Sequence, residues 1–498
     1  MAQDTTYVTV AEGVLHGLRD GGTVSYRNIP FAAPPIGKLR FAPPSPPLAW
    51  RGVRDASHFG PTCPQLRGIR RPVAQLVRPF SHYLARIIFP PDPLGVQFQA
   101  TGGYDEDCLN LNIWTAVRPK ANQPVVLFLH GGGFYQGGGN APIQRGTSFA
   151  RSGVIFVSMN YRLGAAGFLA IPELAREQGG YSGNYALLDV LAALRWLRHN
   201  ASAFGGDPAK ITVMGQSAGG ALAFALLHSP QSQGLFRGVI IQSGIRMTPP
   251  WMDRSASEKA SMDWVASKAS PQTLQTLRRL PAAALTAEPG KIFQLGLTAD
   301  GHALHSNNPA LIMNVPIMTG WNKDEGVVPK TFDFSQASAC DRFSTELSRL
   351  LRGSGKLPFP PYKCNPHNLA ALRVANHEEL LMSGAEWART HGKLNPLYFY
   401  DFEHVSRNPA ARALGAYHGA ELPYVFDSLN ELDAPSTSED QGLARLVHTY
   451  WLNFIKNGDP NSNGLPKWHA FEKGNNRVMA LSRFSHMRPI AKPDRPAD

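Results

Sequence analysis

The sequence predicts an α/β fold: one large, mostly parallel sheet covered by helices on both faces. Three observations lead there. Short apolar runs recur along the chain, as at 124–130 ("PVVLFLH"), 153–161 ("GVIFVSMNY") and 238–243 ("GVIIQS"). Between them lie stretches with helical spacing, the clearest at 184–204, "NYALLDVLAALRWLRHNASAF". No internal repeat and no long polar linker divides the 498 residues. Strands that alternate with helices need crossover connections, which lay the strands parallel and put the helices on the faces.

Taken in order, the elements read as follows. Residues 30–47, "PFAAPPIGKLRFAPPSPP", are proline-dense. They suit a rigid surface loop, or less simply a docking peptide for another domain. The strand at 124–130 runs straight into "GGGF", and the strand at 153–161 follows. The helix at 184–204 is stopped by "FGGDP". A strand at 211–214 precedes a helix that starts at Ala218, and strands follow at 238–243, 316–321 and 397–402. Near the end Leu443, Leu446, Val447, Tyr450, Trp451 and Phe454 form one apolar helix stripe, closed by "NGDPN". The irregular stretches 250–315 and 330–395 read as helical insertions carried by the sheet.

Composition narrows the function classes. With 43% hydrophobic and 17% charged residues the chain can fill a large core, which argues against disorder. The net charge of +12 would suit nucleic acid, an anionic membrane or acidic substrates. No compact Lys/Arg run or nucleic-acid motif accompanies it, so nucleic acid is set aside. Nothing approaches the about 18 consecutive apolar residues of a membrane span. The start, "MAQDTTYVTVAEG", is polar and lacks an h-region, so the protein is cytoplasmic or Met1 has replaced a leader. Cys63, Cys108, Cys340 and Cys364 show no CxxC or Cys/His metal spacing; two local disulfides or four buried thiols are the readings left.

The chemistry concentrates in four places. Gly215-Gln216-Ser217-Ala218-Gly219 is G-x-S-x-G between a strand and a helix. A serine nucleophile needs a strained turn to stand clear of the sheet, and small neighbours so that the turn can pack. The helix behind it aims N–H groups and a positive dipole end at the reacting centre. The bland alternative is a small-residue turn. Second, His130-Gly131-Gly132-Gly133-Phe134 follows a strand, and its glycines let backbone N–H groups reach a substrate oxygen. Gly132, Gly133 and Ala218 are the expected donors, and His130 reads as structural. Third, a serine needs a base, and the base an orienting carboxylate, in the chain order serine, acid, histidine. Of the sixteen histidines, His418 in "AYHGAELPYVF" has the right place, after the last apparent core strand. Fourth, "GWNKDEG" puts Asp324 and Glu325 just past a strand's C-terminal end, where ligand-facing groups sit in open α/β sheets. The residues alone do not choose between those two carboxylates.

From about Val8 to about Trp468 the chain resembles the type-B carboxylesterase/cholinesterase family of α/β-hydrolases. The matching pieces include "IPFAAPPIGKLRF", "EDCLNLNIW", "HGGGF", "NYRLGAAGFL", "FGGDP", "GQSAGG", "QSG", "NKDEG", "YHGAELPYVF" and "YWLNFIKNGDPN", in this order. The resemblance implies one catalytic domain over 1–498, with helical insertions forming a deep gorge. It implies an ester hydrolase acting on small molecules without metal or organic cofactor. Ser217 would be the nucleophile, Glu325 the acid and His418 the base. Gly132, Gly133 and Ala218 would form the oxyanion hole, and Ser243 in "QSG" would support the acid–histidine pair. It also implies a Cys63–Cys108 disulfide, with Cys340–Cys364 as a second, and hence an oxidising, periplasmic or extracellular setting.

This sequence departs from the family pattern at Gln216, where a glutamate is usual, at Ala186, usually glycine, and at Val190, usually glutamine. The segment between Cys63 and Cys108 is long and basic, fit for plain surface or for an electropositive funnel. Arg246 falls where the family's acyl pocket begins, and a guanidinium there could hold a carboxylate. Together these features lead to an expected preference for esters whose acyl part carries free carboxylates, as in fumonisin-type polycarboxylate esters. The alternatives are a generalist esterase or lipase for neutral esters, with Arg246 paired structurally, and a non-catalytic cholinesterase-like binding protein.

Overall fold

Among the described residues, eleven strands form the central sheet of the computed structural model. The structure describes residues 6–65, 100–101, 103–244, 251–286, 295–305, 312–325, 396–407, 412, 415–432, 436–472 and 477–490. In chain order the strands are β1 (Leu18–Asp20), β2 (Thr23–Pro30), β3 (Asn110–Ala116), β4 (Gln123–Leu129), β5 (Ile155–Met159) and β6 (Gly206–Gln216). Then come β7 (Gly238–Gln242), β8 (Ile317–Asn322), β9 (Leu397–Phe402), β10 (Arg477–Leu481) and β11 (His486–Pro489). Across the sheet they lie β1-β2-β3-β5-β4-β6-β7-β8-β9-β10-β11. Every pair from β5 to β10 is parallel. The flanks are antiparallel.

The period of two along β4 builds two cores. Val125, Leu127 and Leu129 point into one, Val126 and Phe128 into the other, and all five are fully buried. The first core is covered by α1 (Tyr185–Asn200) and α2 (Ala218–Leu227), through Leu187, Leu191, Leu222 and Leu226 among others. The insertion between β7 and β8 also leans on that face. Its α3 (Arg254–Lys268) buries Trp264 and Val265 there. The second core is covered by α4 (Ser438–Asn457), which carries the expected stripe of Leu443, Val447, Tyr450, Trp451 and Phe454, with Leu446 partly buried at its edge. Thr437 and Asp440 form a capping box at its start, and Gly458 of "NGDPN" ends it at φ 74°.

Several boundaries moved. α1 stops at Asn200 and tightens into a 3₁₀ turn, Ala201–Phe204, before Gly205 at φ 86°. β6 begins at Gly206 rather than at 211, because its polar first half pairs along the edge of β4 only through an irregular register. β9 is not the last strand of the sheet: β10 adds beside it in parallel, after a crossover through α4. Residues 330–395 lie outside the described residues. No helix among the described residues is long and apolar enough to cross a membrane.

The fold gathers the candidate residues at one end of the central strands. β4, β6, β7 and β8 end beside one another, so "HGGG", Ser217, Ser243 and Glu325 all leave the carboxyl ends of adjacent parallel strands.

Candidate active site

The turn around Ser217 depends on its glycines. β6 ends at Gln216, α2 begins at Ala218, and Ser217 between them takes φ 56°, ψ −124°. A Cβ on Gly215 would sit 2.2 Å from Gly219 O, and one on Gly219 would sit 2.1 Å from Leu129 O. Neither can carry a side chain. The strained serine is held from behind, where its N–H donates to Gln242 O at 2.8 Å. Ala218 opens the helix, so its N–H belongs to the first turn and has no partner within the helix.

The "HGGG" loop packs against this turn. A Cβ on Gly131 would come 3.0 Å from Ser217 Cβ, and Gly132 and Gly133 take φ values of 122° and 64°. His130 props the loop from below. Its ring stacks on Tyr161 at 4.3 Å and 9°, Nδ1 lies 2.8 Å from Gly131 O, and the Tyr161 hydroxyl donates to His130 O at 2.7 Å. Burial pulls its pKa down to about 4, so the ring is neutral and Nδ1 is the donor to Gly131 O. Cys63 and Cys108 are joined in a disulfide. Gln65, two residues on, exchanges two hydrogen bonds with Gly137 at the far end of the same loop, at 2.8 and 2.9 Å.

His418 Nε2 lies 2.8 Å from Ser217 Oγ, and His418 Nδ1 lies 2.5 Å from Glu325 Oε2. The other oxygen of Glu325 accepts from Ser243 Oγ at 2.5 Å and from Asn322 N at 2.8 Å. Burial alone would raise the Glu325 pKa, but the adjacent imidazole and these hydrogen bonds bring it below its ordinary value. For His418 burial acts downward, and Glu325 outweighs it, so the imidazole holds a proton more tightly than usual.

The structure separates the two adjacent carboxylates. Asp324 faces away from the imidazole. Its N–H donates to Ala416 O at 2.9 Å, and its Oδ2 accepts from Ala416 N at 2.8 Å. It therefore pins the backbone of the loop that carries His418.

Gln216 is buried, and its Nε2 sits 3.4 Å from His418 Nε2. Arg246, Cys340, Cys364 and the basic stretch 66–99 lie outside the described residues. A further group escaped the sequence reading. Glu421, Asn322 and Gln242 form a buried cluster behind Glu325 and His418. Its one sequence signal is an acid inside the apolar run "AELPYVF", three residues after His418.

A parallel sheet with a serine on a strand-to-helix elbow, facing a histidine and a carboxylate from later loops, defines an α/β-hydrolase. The Carboxylesterase family model matches residues 4–354 and 371–494, and the chain belongs to that family. It is 31% identical to para-nitrobenzyl esterase of Bacillus subtilis (strain 168), over 95% of this chain and 94% of that protein. It is 32% identical to fumonisin B1 esterase of Sphingopyxis macrogoltabida, over 93% of this chain and 84% of that one. Among solved structures, a PNB esterase superposes with a TM-score of 0.75 at 27% identity, covering 97% of both chains. The protein is a carboxylic ester hydrolase.

Proposed function

We propose that Ser217, His418 and Glu325 are the catalytic triad of this esterase. The observation that carries the reading is the unbroken chain Ser217 Oγ–His418 Nε2 and His418 Nδ1–Glu325 Oε2, at 2.8 and 2.5 Å. His418 takes the Ser217 proton as Oγ attacks the ester carbonyl carbon. The negative charge on the carbonyl oxygen is held by the N–H groups of Gly132, Gly133 and Ala218. The tetrahedral intermediate collapses, the C–O bond to the alcohol breaks, and His418 protonates the leaving oxygen. Water then repeats the sequence on the acyl-enzyme and frees the acid. Glu325 stabilises the imidazolium and fixes the ring so that Nε2 faces the serine. The filled triad speaks against a purely binding role. A fluorophosphonate should label Ser217 and abolish turnover. Labelling at another residue with the same loss would overturn the assignment.

For the substrate, we propose esters whose acyl part bears free carboxylates. Gln216 supports this, since a neutral amide stands beside the imidazole where a glutamate would repel an anion. The charge of +12 and the similarity to an enzyme named for fumonisin B1 act in the same direction. Kinetics on matched esters with and without an acyl carboxylate test it. The anionic ester should show the higher kcat/KM, and added salt should shrink the difference. Equal rates would favour a generalist for neutral esters. The Cys63–Cys108 disulfide supports an oxidising compartment, which cell fractionation of the native host would check.

A further inference from the structure

Glu421 is a buried carboxylic acid that the ester mechanism does not use. Its side chain is fully enclosed. Oε1 accepts from Gln242 Nε2 at 3.1 Å and Oε2 from Asn322 Nδ2 at 2.5 Å. Gln242 in turn accepts from Trp451 Nε1 at 3.4 Å, and Asn322 Nδ2 also donates to Tyr417 O at 2.8 Å. Among the described residues no arginine or lysine is hydrogen-bonded to it, unlike buried Asp189, which is paired with Arg162.

Asn322 is the link to the triad. Its backbone N–H holds Glu325 Oε1, and its side-chain amide holds Glu421 Oε2. One residue at the end of β8 therefore grips both carboxylates. Two polar atoms of this region, Asn322 Oδ1 and Tyr400 OH, are buried without a hydrogen-bond partner among the described residues. Glu421 thus has two neutral amide donors and, among the described residues, no cation beside it, a weak offset for a fully buried charge.

We propose that Glu421 is a positioning residue of the hydrolase, a second titrating carboxylate that acts on His418 through the Asn322 bridge and through space and sets the pH at which that histidine works. The proposal rests on the Ser217–His418–Glu325 reading. Burial pushes the Glu421 pKa up to about 7; the Asn322 hydrogen bond opposes it, the charge of Glu325 adds to it, and His418 draws it down more weakly. Glu421 in turn raises the proton affinity of His418. The titratable groups around Glu421 are Glu325 after β8, His418 on the same loop, and Tyr400 on β9; Asp401, next to Tyr400, is paired with Arg488. Two groups that favour each other's charged form titrate as a pair. Ionised Glu421 thus makes His418 a stronger base, and a proton arriving on His418 favours ionised Glu421.

The test is the pH profile of kcat/KM in the parent enzyme and in Glu421→Gln. The parent should lose activity on the acid side through a broadened, two-group limb. Glu421→Gln should show a single ionisation, moved down by roughly one pH unit. At the alkaline plateau its kcat should fall several-fold with KM unchanged, because Glu421 does not reach substrate. A profile superimposable on the parent's, or a uniform loss at every pH with a lowered Tm, would overturn the proposal. Should Glu421→Gln fail to fold, infrared difference spectra of the parent decide. A carboxylic-acid band that titrates near neutral pH, and that sharpens or moves in Glu421→Asp, supports it, and no such band overturns it. Fluorophosphonate labelling run alongside separates the two readings. If Ser217 is not labelled, the triad assignment falls and this proposal with it. If Ser217 is labelled and the profiles coincide, only the role of Glu421 is lost.

Discussion

Among the described residues, two imidazole–carboxylate pairs with similar geometry lie in the interior, one partly and one fully buried. His418 Nδ1 meets Glu325 Oε2 at 2.5 Å, and His404 Nε2 meets Asp440 Oδ1 at 2.8 Å. Their surroundings differ. Asp440 also accepts from Thr437 N at 2.9 Å and Thr437 Oγ1 at 2.7 Å, which cap α4, and from the Tyr424 hydroxyl at 2.8 Å, so its carboxylate is occupied by structural bonds. Burial pushes its pKa up, but these bonds, led by His404, bring it down to about 2. Glu325 accepts fewer bonds, and its histidine turns the other nitrogen to a serine held at φ 56°. The His418 side chain keeps 21% exposure against 6% for His404. A histidine on a carboxylate is therefore no sign of catalysis by itself. What sets the proposed catalytic pair apart is a third group on a strained turn and a path to solvent.

The largest contrast should come from the two histidines. His418→Ala is expected to lower kcat by roughly 10⁴-fold or more, with Tm near that of the parent. His404→Ala should leave kcat/KM within a few-fold and cost about 1–3 kcal/mol of stability, since it strips a partner from a buried carboxylate. Denaturant titration alongside initial rates would read both. Comparable activity losses in the two variants would erase the distinction.

The carboxylates repeat the contrast one step down. Glu325→Gln should reduce kcat by about 10³–10⁴-fold, because the imidazolium loses its oriented anion. Asp324→Asn, one residue away, should cost less than about tenfold, since an amide oxygen can still accept from Ala416 N. The reverse ranking in steady-state rates would mean that the His418 loop, and not its anion, limits turnover.

Acid should affect the pairs in different pH ranges. The folded pKa of Asp440 is depressed, so its contribution to stability is present above the unfolded value of 3.8 and is lost as pH falls toward about 2. Asp440→Asn should remove that part of the acid transition, as followed by circular dichroism. His418 must be neutral to act, and its pKa is raised, so activity should fail on the acid side of a midpoint above 6.5, long before unfolding. Coincident loss of activity and fold would contradict this.

The smallest expected effect is that of Gln216→Glu. A carboxylate 3.4 Å from His418 Nε2 would raise the imidazole pKa further, so the acid limb should move up and the rate on anionic esters should drop. An unchanged ratio of anionic to neutral ester rates would remove Gln216 from the account of specificity.

Much of this was legible in local sequence, for a physical reason. The strand-to-helix elbow needs Gly215 and Gly219, the loop beside it needs glycines, and α4 needs its apolar stripe, its Thr437 cap and Gly458. Each requirement is met within a few residues of chain, so pattern and spacing reveal it. Ser217, His418, "HGGG" and the parallel core followed from such patterns, and family resemblance, not spacing, pointed to Glu325 over Asp324. Other features depend on contacts between distant segments. Asp324 and Glu325 are neighbours of the same charge; only the way the 415–418 loop lies across the end of β8 turns one to the histidine and the other to Ala416. The outermost strands β1 and β11 are only three and four residues long and lack fully buried positions, so they give weak periodic signals. Glu421 meets Gln242 across 179 residues and Asn322 across 99, so an acid inside an apolar run is all that the local sequence shows of this cluster. Sequence by itself determined which residues could do the chemistry, because turns and caps are local. Tertiary structure decided which carboxylate faces the imidazole and which lies behind it, because burial and charge pairing exist only once distant strands have come together.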